Sequence, residues 1–352
     1  SVNCIVTSPP YFAVRDYGMD GQIGVESEPD AYVARLVEVF SEARRVLKPD
    51  GTMWMNLGDT YASSWPCNRR SVIGSGSLAD GTRSARPPRL GGDLKDKDLI
   101  GIPWMAAFAL RRDGWWLRGD QVWAKPNGMP ESVTDRPSRG HEYVFLLTKS
   151  ERYWYDAEAV RTAPAASTET RLRQNIENQE GPARANGGAK TNGKMKAVRY
   201  KGPHGSTLTD APYGRHVLGE AIPEKDRRDK QRGHSRRHDG FNDRWDAMER
   251  NDQMANGANL RSVWWVSPAQ YGGGHYAVMA DKIAEICILA GCPVGGTVLD
   301  PFGGVGTTGL VAARFQRHAI LIELNSAYAQ EARDRIANDQ PMLNAVSVVA
   351  GG

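Results

Sequence analysis

The chain has 352 residues, 40% of them hydrophobic, with 45 Lys and Arg against 41 Asp and Glu, a formal net charge of +4. That balance excludes global disorder, and the length allows one large α/β domain with insertions or two modest domains. Uncharged apolar stretches such as Leu99–Leu110 fall well short of the ~20 residues that cross a bilayer, and no secretory signal is read at the N-terminus. No membrane partner and a cytoplasmic location are therefore expected. Cys4, Cys67, Cys287 and Cys292 are scattered, with neither a disulfide framework nor zinc-finger spacing, so no metal is expected.

In chain order, Asn3–Thr7 reads as a short buried strand that ends in a Ser-Pro-Pro turn. Across Pro29–Leu47, the residues Ala31, Val33, Leu36, Val37, Phe40, Ala43, Val46 and Leu47 recur at helical spacing. Lys48-Pro49-Asp50-Gly51 reads as a helix stop and turn, and Thr52–Leu57 as the next strand. Ile102–Arg111 reads as a helix, and Gly119–Ala124 and Glu142–Thr148 as two strands. Ser262–Val266 opens a second ordered block. It continues with a helix over Ala277–Ala290, a strand at Thr297–Leu299, a glycine-rich turn and a helix to about Arg314. A strand at Ala319–Glu323 and a helix at Ala327–Ala337 complete the pattern. Strands alternating with helices predict an α/β fold with a mainly parallel sheet and helices on both faces.

Charge is unevenly spread. Residues 161–250 hold 19 Lys and Arg and 12 Asp and Glu, a net of +7, which leaves −3 for the rest of the chain. The segment is rich in Gly, Asn, Pro and His and lacks apolar periodicity. Two readings stay open, a solvated linker or an electrostatic footprint for nucleic-acid phosphates. A second polar stretch, 66–98, also reads as a surface insertion.

Gly304-Val305-Gly306-Thr307-Thr308-Gly309 follows one predicted strand and opens a helix, and Glu323 ends the next strand 19 residues after Gly304. Glycines let the backbone approach a ligand closely, and an acid at that place binds ribose hydroxyls, so the turn points to a nucleoside or dinucleotide. The turn lies about 50 residues from the C-terminus, so earlier strands must complete the sheet. The nucleoside half therefore comes last in the chain, unlike the usual dehydrogenase order.

Thr7-Ser8-Pro9-Pro10-Tyr11 ends the first strand. Two prolines fix φ and remove two donors, leaving carbonyl acceptors. Ser8 adds a hydroxyl and Tyr11 a flat face. Clustered acceptors beside an aromatic plate suit a planar ring that bears an amino group.

Together these motifs resemble the DNA amino-methyltransferases, in the permuted class whose catalytic block precedes the S-adenosylmethionine block. The resemblance is carried by TSPPY at 7–11, LKPDGTMWMNLGD at 47–59, WAKPNGMPESVTDRPSRGHEYVFLLTKS at 123–150 and GGGHYAVMADKIAEICILAGCPVGGTVLDPFGGVGTTG at 272–309. It implies a Rossmann-like methyltransferase fold in permuted order. Residues 1–160 would form the catalytic half, 161–255 a basic target-recognition insertion, and 256–352 the cofactor half.

It also implies roles. Ser8 and the Pro9 carbonyl, beside Pro10, would accept the hydrogens of the target amine, and Tyr11 would stack on the flipped base. Asp300, Phe302, Gly303, Gly304, Gly306, Thr307 and Thr308 would line the methionine and adenosine site, Glu323 would bind the ribose, and His275 and Tyr276 would pack near the cofactor. Lys125, Asn127, Arg136, Arg139 and His141 either face DNA or are ordinary loop and strand-end residues. The family's acid for the cofactor adenine would lie upstream of Ser1, and Ala280-Asp281 stand where relatives often carry prolines.

The implied partner is double-stranded DNA, in a bacterial or phage-encoded enzyme. A homodimer and a cognate restriction nuclease stay open. Ser-Pro-Pro-Tyr leans towards cytosine N4 over adenine N6. Two other classes also stay open: a nicotinamide-dependent oxidoreductase, from the glycine pattern, and a DNA-binding module without activity.

Overall fold

A computed structural model describes residues 1–62, 83–84, 93–128, 131–163, 257–269, 278–340 and 345–349. It divides into two compact units, Ser1–Val160 with Asn259–Gly352, and Arg161–Ala258. The basic segment from 164 onward, most of the 66–98 stretch, Cys67, His275 and Tyr276 lie outside the described residues. In the second unit the described residues include a backbone bridge between Thr162 and Ala258, with N–H to O distances of 2.9 and 2.8 Å. Among the described residues no helix is long and apolar enough to cross a membrane.

The first unit is built on a seven-stranded sheet. Its strands are β1 (Val2–Thr7), β3 (Leu47–Leu57), β5 (Trp116–Ala124), β6 (His141–Thr148), β7 (Val263–Trp265), β8 (Thr297–Asp300) and β9 (His318–Leu321). They run in the order β7-β5-β6-β3-β1-β8-β9. The β1–β3, β1–β8, β5–β7 and β8–β9 pairings are parallel, and only β6 runs against its neighbours. A separate short ribbon pairs β2 (Arg15–Asp16) with β4 (Arg83–Ser84). The α/β expectation holds, with one reversed strand that alternation alone did not reveal.

Both faces of the central strands β3, β1 and β8 are buried, and side chains alternate between them as period two requires. Ile5, Met53, Met55, Phe145 and Leu147 enter one core, under α1 (Pro29–Val46) and α2 (Ile102–Arg112). Cys4, Val6, Trp54, Val144 and Leu146 enter the other, against α3 (Asp281–Gly291) and α4 (Thr307–Arg314). The last helix, α5 (Ser326–Asp339), packs on α4.

Three local expectations change. Lys48–Gly51 lies within β3, where the register jumps from Val2 opposite Leu47 to Cys4 opposite Thr52. The Pro-Asp-Gly run is thus an excursion of the strand rather than a separate turn before it. On α1 the buried face includes Tyr32, and Ala31 points outward. The helix expected from Ala277 starts at Asp281, because Ala280 is still extended at φ −64° and ψ 131°.

The chain enters the middle of the sheet at β1, moves to β3 on one side, and later returns to β8 on the other. The connections from neighbouring β1 and β8 leave in opposite directions. In open α/β sheets that divergence opens a crevice outside the carboxyl ends of the strands.

Candidate active site

β1 delivers Thr7 and Ser8 to this crevice, where the two prolines stiffen the turn. The Pro10 carbonyl accepts a hydrogen bond from the Tyr32 hydroxyl at 2.8 Å, which ties the turn to α1. The Tyr11 hydroxyl lies 2.6 Å from Glu142 Oε2 and 3.1 Å from Asn56 Oδ1. Burial first, and the charge of Glu142 second, push the Tyr11 phenol well above its ordinary pKa, so it stays a donor. One edge of the Tyr11 ring rests on Gly58, where a Cβ would lie 2.6 Å from Tyr11 Cε2. Only glycine permits that approach.

On the neighbouring strand β8 ends at Asp300, which is 3% exposed. Its carboxylate accepts from the Thr7 hydroxyl at 2.6 Å, the Thr308 hydroxyl at 2.7 Å and the Phe302 N–H at 3.0 Å. Burial outweighs these three hydrogen bonds, and the Asp300 pKa is pushed up to about 6. The glycine turn follows. Gly304 has φ +50°, and a Cβ there would meet open space. Gly306 caps α4 at φ +81°, with a Cβ position 2.8 Å from Ala332 Cβ. The Glu323 carboxylate, just past β9, accepts from the Gly304 N–H and the Asn325 N–H, each at 2.8 Å.

One cleft of about 610 Å³ joins the two motifs. Ser8, Pro9, Pro10 and Tyr11 line it, as do Asp300, Phe302, Gly303, Gly304, Thr307, Thr308 and Glu323. Gly306 stands behind the turn rather than at the wall, because its space is taken by α5. Lys125 also lines the cleft, paired with Glu142, with its ammonium 4.5 Å from the Trp123 ring centroid.

The other four candidates for DNA contact are not part of this wall. Asn127 is exposed. Arg136 pairs with Glu131 at 2.7 Å and sits 3.8 Å from the Tyr61 ring centroid. Arg139 lies 3.5 Å from Asp59, whose carboxylate accepts the Gly101 and Ile102 N–H groups at the start of α2. His141 packs edge-on against Tyr143.

Sequence reading missed Thr7, Asn56, Gly58 and Glu142. The signal for two of them was present: Asn56 is a polar residue inside the buried run TMWMNL, and Glu142 is a charge at the head of EYVFLLT. Buried polar groups need partners, and these two partner each other: the Asn56 amide donates to Glu142 Oε2 at 3.1 Å and to the Tyr143 carbonyl at 3.1 Å.

The cleft fits a nucleoside cofactor. Gly304 presents bare backbone, a helix N-terminus follows, and an acid stands beside the turn. A mainly parallel seven-stranded sheet with this cleft at the ends of β1 and β8 defines the class as a Rossmann-like α/β fold with a nucleoside-sized site.

Comparison with known proteins narrows the class. A family model described as DNA methylase matches residues 2–334. The type II methyltransferase M.SmaI of Serratia marcescens is 37% identical over 334 residues, covering 95% of this chain and 84% of the relative. M.Cfr9I of Citrobacter freundii is 38% identical over 339 residues, covering 96% and 82%. The solved PvuII DNA methyltransferase (cytosine-N4-specific) aligns with a TM-score of 0.52 at 15% identity, over 97% of this chain and 86% of that one, a likeness of fold alone. The chain belongs to the DNA methylase family, as a DNA amino-methyltransferase that uses S-adenosylmethionine. The nicotinamide reading of the glycine turn gives way to it.

Proposed function

We propose that the chain methylates the N4 amine of a cytosine flipped out of duplex DNA, at a specific site. The observation that carries this reading is Ser8 at the head of the Pro-Pro-Tyr turn on the cleft wall. In the resembled family a serine there leans towards cytosine N4, and an aspartate towards adenine N6.

An exocyclic amine is a poor nucleophile because its lone pair is delocalised into the ring. Ser8 Oγ and the Pro9 carbonyl accept the two amine hydrogens and draw the nitrogen out of the ring plane. Tyr11 holds the base by its ring face. The cofactor would supply a methyl group on a sulfonium, whose carbon–sulfur bond breaks as the nitrogen–carbon bond forms, and the methylated nitrogen then gives up one of its two hydrogens as a proton to solvent. Gly303, Gly304, Thr307 and Thr308 would hold it, with Glu323 on the ribose, and His275 and Tyr276 belong to the same proposal. The work of the chain is orientation, which contributes up to ~7–11 kcal/mol when reacting atoms are well placed.

The basic segment, 161–255, is proposed to dock and read DNA. Its excess of positive charge supports that reading. Lys125, Asn127, Arg136, Arg139 and His141 are assigned to the flanking DNA on the same footing. Ser8→Ala tests the site: methyl transfer to DNA should fall while cofactor binding persists, and full activity in the variant would remove Ser8 from the mechanism.

A further inference from the structure

Ser8 can accept an amine hydrogen only if its own proton points elsewhere. A serine hydroxyl has one proton and two lone pairs, and a rotor that aims the proton into the cleft would repel the amine hydrogens. What lies behind Ser8 therefore decides whether it can do its work. Ser8 Oγ is 3.4 Å from Asn56 Oδ1. That is long for a hydrogen bond, as catalytic contacts often are before substrate binds.

Asn56 Oδ1 has a competitor. The Tyr11 hydroxyl lies 3.1 Å from the same oxygen, closer than Ser8, and it too carries one proton. That proton has a better acceptor in Glu142 Oε2 at 2.6 Å, a charged oxygen. The same Oε2 and the Tyr143 carbonyl receive the Asn56 amide protons, which holds Oδ1 on the Ser8 side. The other carboxylate oxygen, Oε1, is engaged by the Lys125 ammonium. Each oxygen of Glu142 thus has its own donors, and none of those donors is left to occupy Asn56 Oδ1.

We infer that Glu142 is a positioning residue that sets the polarity of Ser8: by taking the Tyr11 proton it reserves Asn56 Oδ1 for the Ser8 proton, so that Ser8 turns lone pairs to the target amine. This inference rests on the proposed role of Ser8. It adds to that role a carboxylate that acts through two neighbours without touching the base.

The chemistry specifies a rescue. In Glu142→Gln a single carbonyl oxygen must serve both Lys125 and Tyr11. When it faces Lys125, the new NH2 faces Tyr11, whose proton then turns to Asn56 Oδ1 and displaces Ser8. Removing the Tyr11 proton should undo the loss at Asn56 Oδ1, because the Asn56 amide keeps the Tyr143 carbonyl as an acceptor. The experiment measures kcat for methyl transfer, with equilibrium binding of DNA and cofactor and a thermal melt, on Glu142→Gln, Tyr11→Phe, Ser8→Ala and the double variants.

Glu142→Gln is expected to lower kcat about tenfold, with binding and melt kept. Glu142→Gln with Tyr11→Phe should return to within about threefold of Tyr11→Phe alone. Glu142→Gln should cost less than about twofold in the Ser8→Ala background, since residues acting as a unit are non-additive. A double variant no more active than Glu142→Gln alone overturns the inference. So does an equal fold-loss with and without Ser8. If Glu142→Gln fails to fold, the Tyr11→Phe double variant still decides, because deletion of a buried structural group is not rescued by deleting a second one. Full activity of Ser8→Ala overturns the reading of Ser8 itself. An impaired Ser8→Ala with an additive Glu142→Gln overturns only the role of Glu142.

Discussion

The Thr7 hydroxyl donates to the Asp300 carboxylate at 2.6 Å across 293 positions of sequence. Thr7 is the residue before Ser8, and Asp300 the residue before the Pro-Phe-Gly-Gly turn. One buried hydrogen bond therefore fixes the Ser-Pro-Pro-Tyr turn against the glycine turn, where β1 and β8 lie side by side. Methyl transfer needs two ligands aligned to within a fraction of an ångström, and this contact sets the distance between the two turns proposed to hold them.

Burial of the same carboxylate makes stability depend on pH, against the pull of its hydrogen bonds. The Asp300 pKa is pushed up to about 6 by burial. Below the ordinary carboxylate range both folded and unfolded chains hold the proton, and between that range and about 6 the folded chain alone holds it. Stability from this group is therefore complete at low pH and is lost as pH rises through that window, by about 3 kcal/mol at most. Urea unfolding of wild type and Asp300→Asn at about pH 4 and about pH 7.5 checks this. The wild type should lose up to that amount relative to the variant, and equal pH dependence in the two proteins would count against it.

Gly58 offers a second test. A methyl group at this position would lie 2.6 Å from the Tyr11 ring. Gly58→Ala should push the ring out of place at a stability cost of ~1–3 kcal/mol, with kcat reduced about 10- to 100-fold. Kinetics beside a thermal melt separate the two effects. Unchanged kcat in a folded variant would show that the ring position does not matter.

Tyr11 itself separates ring from hydroxyl. Tyr11→Phe keeps the stacking face and leaves Asn56 Oδ1 to Ser8, so most activity should remain. Tyr11→Ala loses the face and with it ~1–3 kcal/mol of base stacking. DNA affinity and kcat for the pair are the readout, and comparable losses in both would assign the role to the hydroxyl rather than the ring.

Much of the fold was legible because buried strands are short apolar runs. NCIVT, TMWMNL and EYVFLLT announce three of the central strands without any tertiary information. The reversal of β6 was not legible, since direction is set by the connections and not by the strand's own residues. Tyr32 was passed over for Ala31 because its polar tip masks a buried ring. Its hydroxyl serves the Pro10 carbonyl, a partner 22 residues away. Ser8 and the glycine turn were readable as local strings, whereas Glu142 acts only through Asn56 and Tyr11, from elements that meet only in the folded sheet. Asp300 was expected to line the cofactor site, and its carboxylate is turned to Thr7 and Thr308 as well as to the cleft.

The central claim is the identity of the methylated base, and nucleoside mass spectrometry tests it most directly. DNA incubated with the protein and isotopically labelled S-adenosylmethionine would be digested to nucleosides and the labelled species identified. Label in N4-methyl-2′-deoxycytidine, with none in N6-methyl-2′-deoxyadenosine, is the predicted result. Label in the adenine product without the cytosine one would contradict the assignment of Ser8 to cytosine N4.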